Sequence, residues 1–249
     1  MTTIAEVKKW TRPILAEHQD LALMPRQLYL RPVHHIHRRI RFLGSSDRTF
    51  SKPLAEILVM FAPPSGRLSD NWSRELIVGW STDADFHGTL AKHIRQTLKY
   101  PFRPLAEIED LYRLMQESRL HWQHQELLPL SHDAFLHASV LASLGRLPEA
   151  CAVAQAYIDK EETRWLKIRA EAEGFLKKPR TRSEGESRIQ LADGFLKPME
   201  DMRQLMALAG ANDRRGVAAL LRDWERLNAQ RLEVEDDWEA TPFPLERDL

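Results

Sequence analysis

The first apolar residues of the chain recur every three or four positions, which predicts an amphipathic helix. Thr3 and Glu6 have capping-box spacing and mark its start. Pro13 lies inside the pattern, so we expect the helix to kink or restart near Thr11. The residues of the apolar stripe are Ile4, Val7, Trp10 and Ile14.

The apolar period then changes to one that favours extended structure. The pattern predicts strands over residues 27–32 and 33–43, and residues 53–63 have the continuous apolar run of a buried strand. A further strand is predicted at 74–81, and Gly44–Asp47 is a turn. This pattern predicts an N-terminal helix followed by a small antiparallel sheet.

The chain is predicted to be helical from Asp85 onward, so the fold class is α+β. The segment Lys177–Ser187 is rich in Pro, Gly, Ser and charge and predicts a mobile link. We expect an α+β domain over 1–127, a helical-hairpin domain over 128–232 and an acidic tail over 233–249. The predicted C-terminal helices run approximately over 132–144, 148–176, 188–209 and 213–232.

One stretch, HASVLASLGRLPEACAVAQAYI, has small residues at the spacing of a helical hairpin. Gly145 suits a left-handed helix end, Pro148 suits the first turn of the next helix, and Ala150 permits close helix contact. Residues 132–160 therefore resemble a tetratricopeptide-like hairpin, which implies a groove for a protein partner. Residues 1–100 look like an uncharacterised bacterial helix-plus-β-meander domain, a resemblance that implies no known activity.

The segment RPVHHIHRRIRF carries the most concentrated side-chain chemistry of the chain. In a strand, alternation turns Ile36, Ile40 and Phe42 toward the core. The opposite face is then exposed to solvent, and Arg39→Ala should leave melting nearly unchanged. That face either binds an anion or nucleic acid, since Arg and partly charged His suit phosphate, or is a solvated outer face. Its residues are His35, His37, Arg39 and Arg41.

Composition and charge narrow the function classes. The hydrophobic fraction of 43% suffices for a packed core, and the single Cys151 excludes an internal disulfide framework, which fits a reducing cytoplasm. Residues 1–20 contain acids and no apolar run, so we expect no signal peptide, and no segment is apolar enough to span a membrane. The net charge is zero, but residues 1–104 hold 16 Lys and Arg against 9 Asp and Glu.

The opposing negative charge lies mostly in the tail, where Trp238 and Phe243 stand among acids. These aromatic residues are candidate anchors for a basic groove on a partner or on this same chain. We expect Trp238 to pack within the chain and the residues beyond Thr241 to be mobile, because so few apolar side chains offset the ordering entropy.

Metal chemistry has weaker candidates. His121 and His124 share a predicted helix face near Glu126, and an acidic loop holds Asp83 and Asp85, which suit helix capping better than a divalent ion. Phosphate-binding, dinucleotide and nucleophile-elbow motifs are absent, and we expect no cofactor. The favoured function is a non-enzymatic protein-interaction or adaptor protein; the alternatives are a nucleic-acid binder using residues 31–42 and a metal-dependent hydrolase.

Overall fold

The computed structural model of this chain describes residues 2–44, 50–65, 72–117, 134–177 and 179–247. It is an α+β structure, as predicted, with two compact units that interleave along the sequence, whereas the predicted domains are contiguous. The first unit comprises Met1–Met60, Asp70–Leu128 and Glu233–Thr241, and the second comprises Phe61–Ser69, Pro129–Leu232 and Pro242–Leu249.

The first unit contains a five-stranded antiparallel sheet and three helices. Its strands lie in sequence order, each paired with the next, and the N-terminal helix precedes them. The strands are β1 Leu21–Met24, β2 Gln27–Leu30, β3 Ile36–Leu43, β4 Lys52–Val59 and β5 Trp72–Glu75; the helices are α1 Ile4–Glu17, α2 Phe86–Thr97 and α3 Ile108–Glu117.

Helix α1 has the predicted capping box, because the Thr3 hydroxyl accepts from the Glu6 amide and the Glu6 carboxylate accepts from the Thr3 amide. The helix was expected to kink or restart near Thr11, and the restart does not occur, since α1 continues through Pro13. Buried residues lie on both sides of the proline, including Val7 and Ile14, and their burial offsets the missing hydrogen bond.

The sheet has one strand more than predicted, because β1 was not foreseen. The predicted strand at 74–81 overlaps β5 only at Arg74 and Glu75. Long strands β3 and β4 form the centre of the sheet, in a register that pairs Arg39 with Glu56 and Ile40 with Ala55.

The core face predicted for β3 is confirmed, since Ile36, Ile40 and Phe42 are all buried. Phe42 lies 6.4 Å from Trp10 of α1, measured between ring centroids. The expectation that the opposite face is open to solvent is wrong, because His35, His37 and Arg39 on that face are buried as well.

The second unit is built from four helices that form two hairpins. They are α4 Ala134–Ser143, α5 Leu147–Leu176, α6 Arg182–Gly210 and α7 Arg214–Arg231. All four were predicted, but α6 begins six residues earlier than expected. The predicted mobile link is therefore wrong for Arg182–Ser187, which forms the first turns of α6.

Left-handed residues close both hairpins near the same end of the unit. Gly145 has φ +77° between α4 and α5, as the sequence predicted. Asn212 has φ +53° between α6 and α7, and the Asp213 side chain then caps α7 by accepting from the Gly216 amide at 2.9 Å. Ala150 is buried, as its predicted packing role requires.

Candidate protein-interaction site

The two arginines predicted to bind an anion are both engaged by one carboxylate. Arg39 Nε lies 2.6 Å from Glu56 Oε2, and Arg41 Nη2 lies 2.5 Å from Glu56 Oε1. Glu56 is completely buried, whereas the Arg41 side chain is 40% exposed. The structure brings Arg39 and Arg41 together, but it directs both guanidinium groups to an internal ion pair.

The two histidines of the same segment are also internal. His35 Nε2 lies 3.0 Å from Thr241 Oγ1, and the His37 ring lies 5.4 Å from the ring of Tyr29. Burial, followed by the charges of Arg39 and Arg38, lowers the pKa of His37 to about 3, so its imidazole is neutral near pH 7. Anion or nucleic-acid binding by this strand stays a prediction.

The tail residue Trp238 packs within the chain, as predicted. It forms a parallel bridge with Val33, in which the Val33 amide donates to the Asp237 carbonyl at 2.8 Å and the Glu239 amide donates to the Val33 carbonyl at 2.9 Å. The Tyr29 hydroxyl donates to Asp237 Oδ2 at 2.6 Å. These contacts hold the first half of the tail on the first unit.

The second half of the tail is ordered too, so the expectation of a mobile end beyond Thr241 is wrong up to Arg247. Phe243 is fully buried in the second unit, 5.4 Å from Phe61 between ring centroids. Glu246 pairs with Arg222 at 2.6 Å. Because Phe243 and Leu245 are completely buried, their burial offsets the ordering entropy of this short segment.

The candidate metal ligands do not form a cluster in the part of the chain that the structure describes, where no group of three or more His, Cys, Asp or Glu side chains is arranged to hold an ion. Asp83 accepts a hydrogen bond from the Trp80 amide at 2.8 Å, and Asp85 makes no side-chain capping bond to α2. The predicted pair His121 and His124 lies outside the described residues.

The long helices α5 and α6 extend beyond their neighbours. They contain 30 and 29 residues, against 10 in α4 and 18 in α7. At 1.5 Å per residue, these lengths are roughly 45, 44, 15 and 27 Å. Since α4 and α7 join the long helices near Gly145 and Asn212, they reach only to about the level of residues 166 and 191. We call the segment beyond that level, Leu166–Leu191, the arm.

The base of the arm is held by an aromatic stack between the two helices. The Trp165 and Phe195 rings lie 4.0 Å apart and are tilted by only 8°. Farther along, Gly185 packs so closely on the other helix that a Cβ there would lie 2.9 Å from the Ala172 carbonyl oxygen. The arm is thus a packed helix pair with an outer surface.

Three large apolar side chains of the arm are exposed to solvent. Leu166, Leu176 and Leu191 are 48%, 37% and 39% exposed, and only Leu227 is a comparably exposed large apolar side chain among the described residues of the second unit. Leu191 lines a groove of about 790 Å³ between residues 186–197 of α6 and the two residues Ser65 and Arg231. Gly194 also lines this groove, and nothing lies within 4 Å of the place where its Cβ would be.

The sequence did not reveal the arm, because the composition of Lys177–Ser187 suggested a mobile link. The overlooked signal was the spacing of Gly185, Ala192 and Leu196, which continues the apolar face of α6 toward its N-terminus.

Cys151 is a partly buried free cysteine on α5 whose thiol contacts α6. Its Sγ lies 3.8 Å from the Met206 carbonyl oxygen, and burial raises the pKa of the thiol, which disfavours the nucleophilic thiolate.

A comparison with known protein families, characterised proteins and solved structures finds no significant match to this chain. Within the described residues, every helix is too short or too polar to cross a lipid bilayer.

Proposed function

We propose that this chain is a non-enzymatic interaction protein that binds a protein partner along the arm. The observation that carries the proposal is the set of exposed leucines on the arm, one of which lies in the α6 groove. An exposed leucine alone is ordinary, but three on one projecting helix pair form a surface that a partner can cover.

The groove supports the same proposal. Its volume of about 790 Å³ is comparable with that of a ligand pocket, and one of its walls is a face of α6, which suits the side chains of a peptide or helix. Gly194 leaves its floor open, so a partner backbone can approach α6 closely. The resemblance of residues 132–160 to a tetratricopeptide-like hairpin agrees with this role.

The contacts of β3 in the folded protein give less support to nucleic-acid binding than its sequence does. The guanidinium groups of Arg39 and Arg41 both contact Glu56, and His37 is neutral. One of their two positive charges is therefore compensated by Glu56, and buried Arg39 is not available to a phosphate backbone.

The test compares one partner's affinity for two variants of the full chain. A partner recovered with the tagged protein is purified, and its binding is measured by isothermal titration calorimetry. Replacing Leu166, Leu176 and Leu191 by serine should weaken binding by roughly tenfold or more, since buried anchors dominate interface energies. The control is Leu227→Ser, which removes a leucine of similar exposure from α7 and should leave the affinity unchanged.

Circular dichroism accompanies both variants to check that helicity is preserved, because Leu176 Cδ2 lies 3.0 Å from the place where a Cβ at Gly185 would be and therefore also packs on α6. If the triple variant binds the purified partner as tightly as the wild type, the arm is not the interaction surface.

A further inference from the structure

The end of the arm carries positive charge that the described residues do not neutralise. Lys177 and Arg180 are exposed, and neither has an ion-pair partner among the residues that the structure describes. Arg182 follows and pairs with Glu186 at 3.2 Å. The sequence from Lys177 to Arg182 contains four Lys and Arg residues and no acid.

The cations elsewhere on the arm are compensated. Arg169 lies 3.3 Å from Asp193, and Arg188 lies 2.6 Å from Glu184. Lys167 lies 4.0 Å from Glu171. Uncompensated positive charge is therefore concentrated at the end of the arm.

The same end of the arm holds a partly exposed apolar side chain, Leu176, whose Cδ2 lies 3.0 Å from the place where a Cβ at Gly185 would be. Leu176, which is 37% exposed, directly precedes Lys177. The turn that carries them is tied back to α5, because the Thr181 hydroxyl donates to the Phe175 carbonyl oxygen at 2.9 Å. The guanidinium of Arg188 covers the Phe175 ring at 4.9 Å from its centroid. The arm thus ends in a braced turn with Leu176 at its start and, next to it in sequence, two exposed cations without an ion-pair partner in the described part of the chain.

We infer that the end of the arm, through Leu176, Lys177 and Arg180, binds an acidic protein segment that contributes one apolar side chain to Leu176. The inference rests on the proposed function and names the chemistry of the partner. Carboxylates complement Lys177 and Arg180, and this complementarity provides orientation and a faster association rate.

An acidic protein segment fits this surface better than a nucleic acid or a lipid headgroup does. Single-stranded nucleic acid binds through stacked aromatic rings, and the ring at this end, Phe175, is covered by Arg188. Duplex binding gains affinity with each neutralised phosphate, and Lys177 and Arg180 supply few such contacts. A bilayer surface needs a broad apolar face, whereas Leu176 is a single side chain.

The experiment titrates the full-length protein into fluorescently labelled probes and follows anisotropy at low and physiological salt. The main probe is a synthetic helical peptide of glutamate, alanine and leucine. The others are its glutamine-for-glutamate counterpart, an oligothymidylate and vesicles containing phosphatidylserine. The test variant is Lys177→Glu with Arg180→Glu. The control is Lys8→Glu with Lys9→Glu, which makes the same charge change at exposed positions of α1.

The glutamate peptide should bind more tightly than the glutamine peptide, and salt should weaken it. The arm variant should bind it about tenfold more weakly, equivalent to about 1.4 kcal/mol, while the control binds as the wild type does. Equal binding of the two peptides, equal effects of the two variants, or tighter arm-dependent binding of oligothymidylate or vesicles would overturn the inference.

The two proposals fail in distinguishable ways. If the purified partner loses affinity for the leucine variant but not for the Lys177/Arg180 variant, the arm binds a partner that is not acidic at this point, and only the inference is wrong. If neither variant changes the affinity, both are wrong.

Discussion

Replacing Arg39 by methionine should destabilise the first unit far more than its place on a polar strand face suggests. The change keeps most of the apolar stem but removes the donor 2.6 Å from Glu56 Oε2. It also removes a second contact, 3.2 Å from Arg39 Nη1 to Gln27 Oε1. Glu56 then remains fully buried with Arg41 still donating to its other oxygen.

The magnitude follows from what remains paired. Removing one partner of a buried ion pair typically costs about 3–5 kcal/mol. Because Arg41 still compensates part of the charge of Glu56, we expect a loss of about 2–3 kcal/mol in the free energy of unfolding. Urea denaturation should show it as a midpoint lowered by about 1 M, and hydrogen exchange should show faster exchange of the β3 and β4 amides.

The matched control is Lys52→Met on β4. Lys52 lies 3.8 Å from Glu75, and both side chains are nearly half exposed, so this pair should contribute less than about 1 kcal/mol. If Arg39→Met is as mild as Lys52→Met, the argument that Arg39 is needed to compensate buried Glu56 is wrong. The original expectation of a dispensable Arg39 would then stand.

Three further predictions follow from the packing. The pKa of His37 is about 3 in the folded protein, against an ordinary value of 6.5. The free energy of unfolding should therefore fall as the pH drops from about 6.5 toward 3, by up to about 1.4 kcal/mol per pH unit. The His37→Leu variant should show a smaller slope in urea denaturation at several pH values. Gly185→Ala should destabilise the arm by about 1–2 kcal/mol, which amide hydrogen exchange should show as faster exchange in the arm. The control Gly174→Ala places a Cβ where nothing lies within 4 Å and should stabilise α5 by up to about 1 kcal/mol. Equal effects of the two substitutions would contradict the close packing at Gly185. Phe243→Ala should cost about 3–5 kcal/mol in denaturation of the second unit, and a loss below about 1 kcal/mol would mean that Phe243 is not a buried anchor.

The sequence predicted those parts of the fold that neighbouring residues determine. The capping box at Thr3 and the left-handed end at Gly145 need only a few adjacent positions, and both are present. The spacing of apolar residues located α4, α5 and α7 and identified Ile40 as part of the core face of β3. It did not find β1, because four residues are too few to establish a period.

The candidate interaction site was less accessible to sequence reasoning. The anchors Trp238 and Phe243 were found as apolar residues among acids, but where they pack depends on Val33 and Phe61, which are far away in sequence. The arm surface exists only because α5 and α6 are longer than the helices beside them. The composition of Lys177–Ser187 had instead predicted a mobile link in this region.

The sequence by itself therefore determined the α+β class, most helix positions and the direction of the β3 core face, since these depend on local periodicity and capping. Tertiary structure alone decided the environment of polar groups. Arg39 lies on an alternating strand that could face water, yet it meets Glu56, 17 positions away, and Tyr29 meets Asp237, 208 positions away. Burial and charge compensation depend on which residues distant in sequence come into contact in the folded chain, and the local spacing of residues does not specify those contacts.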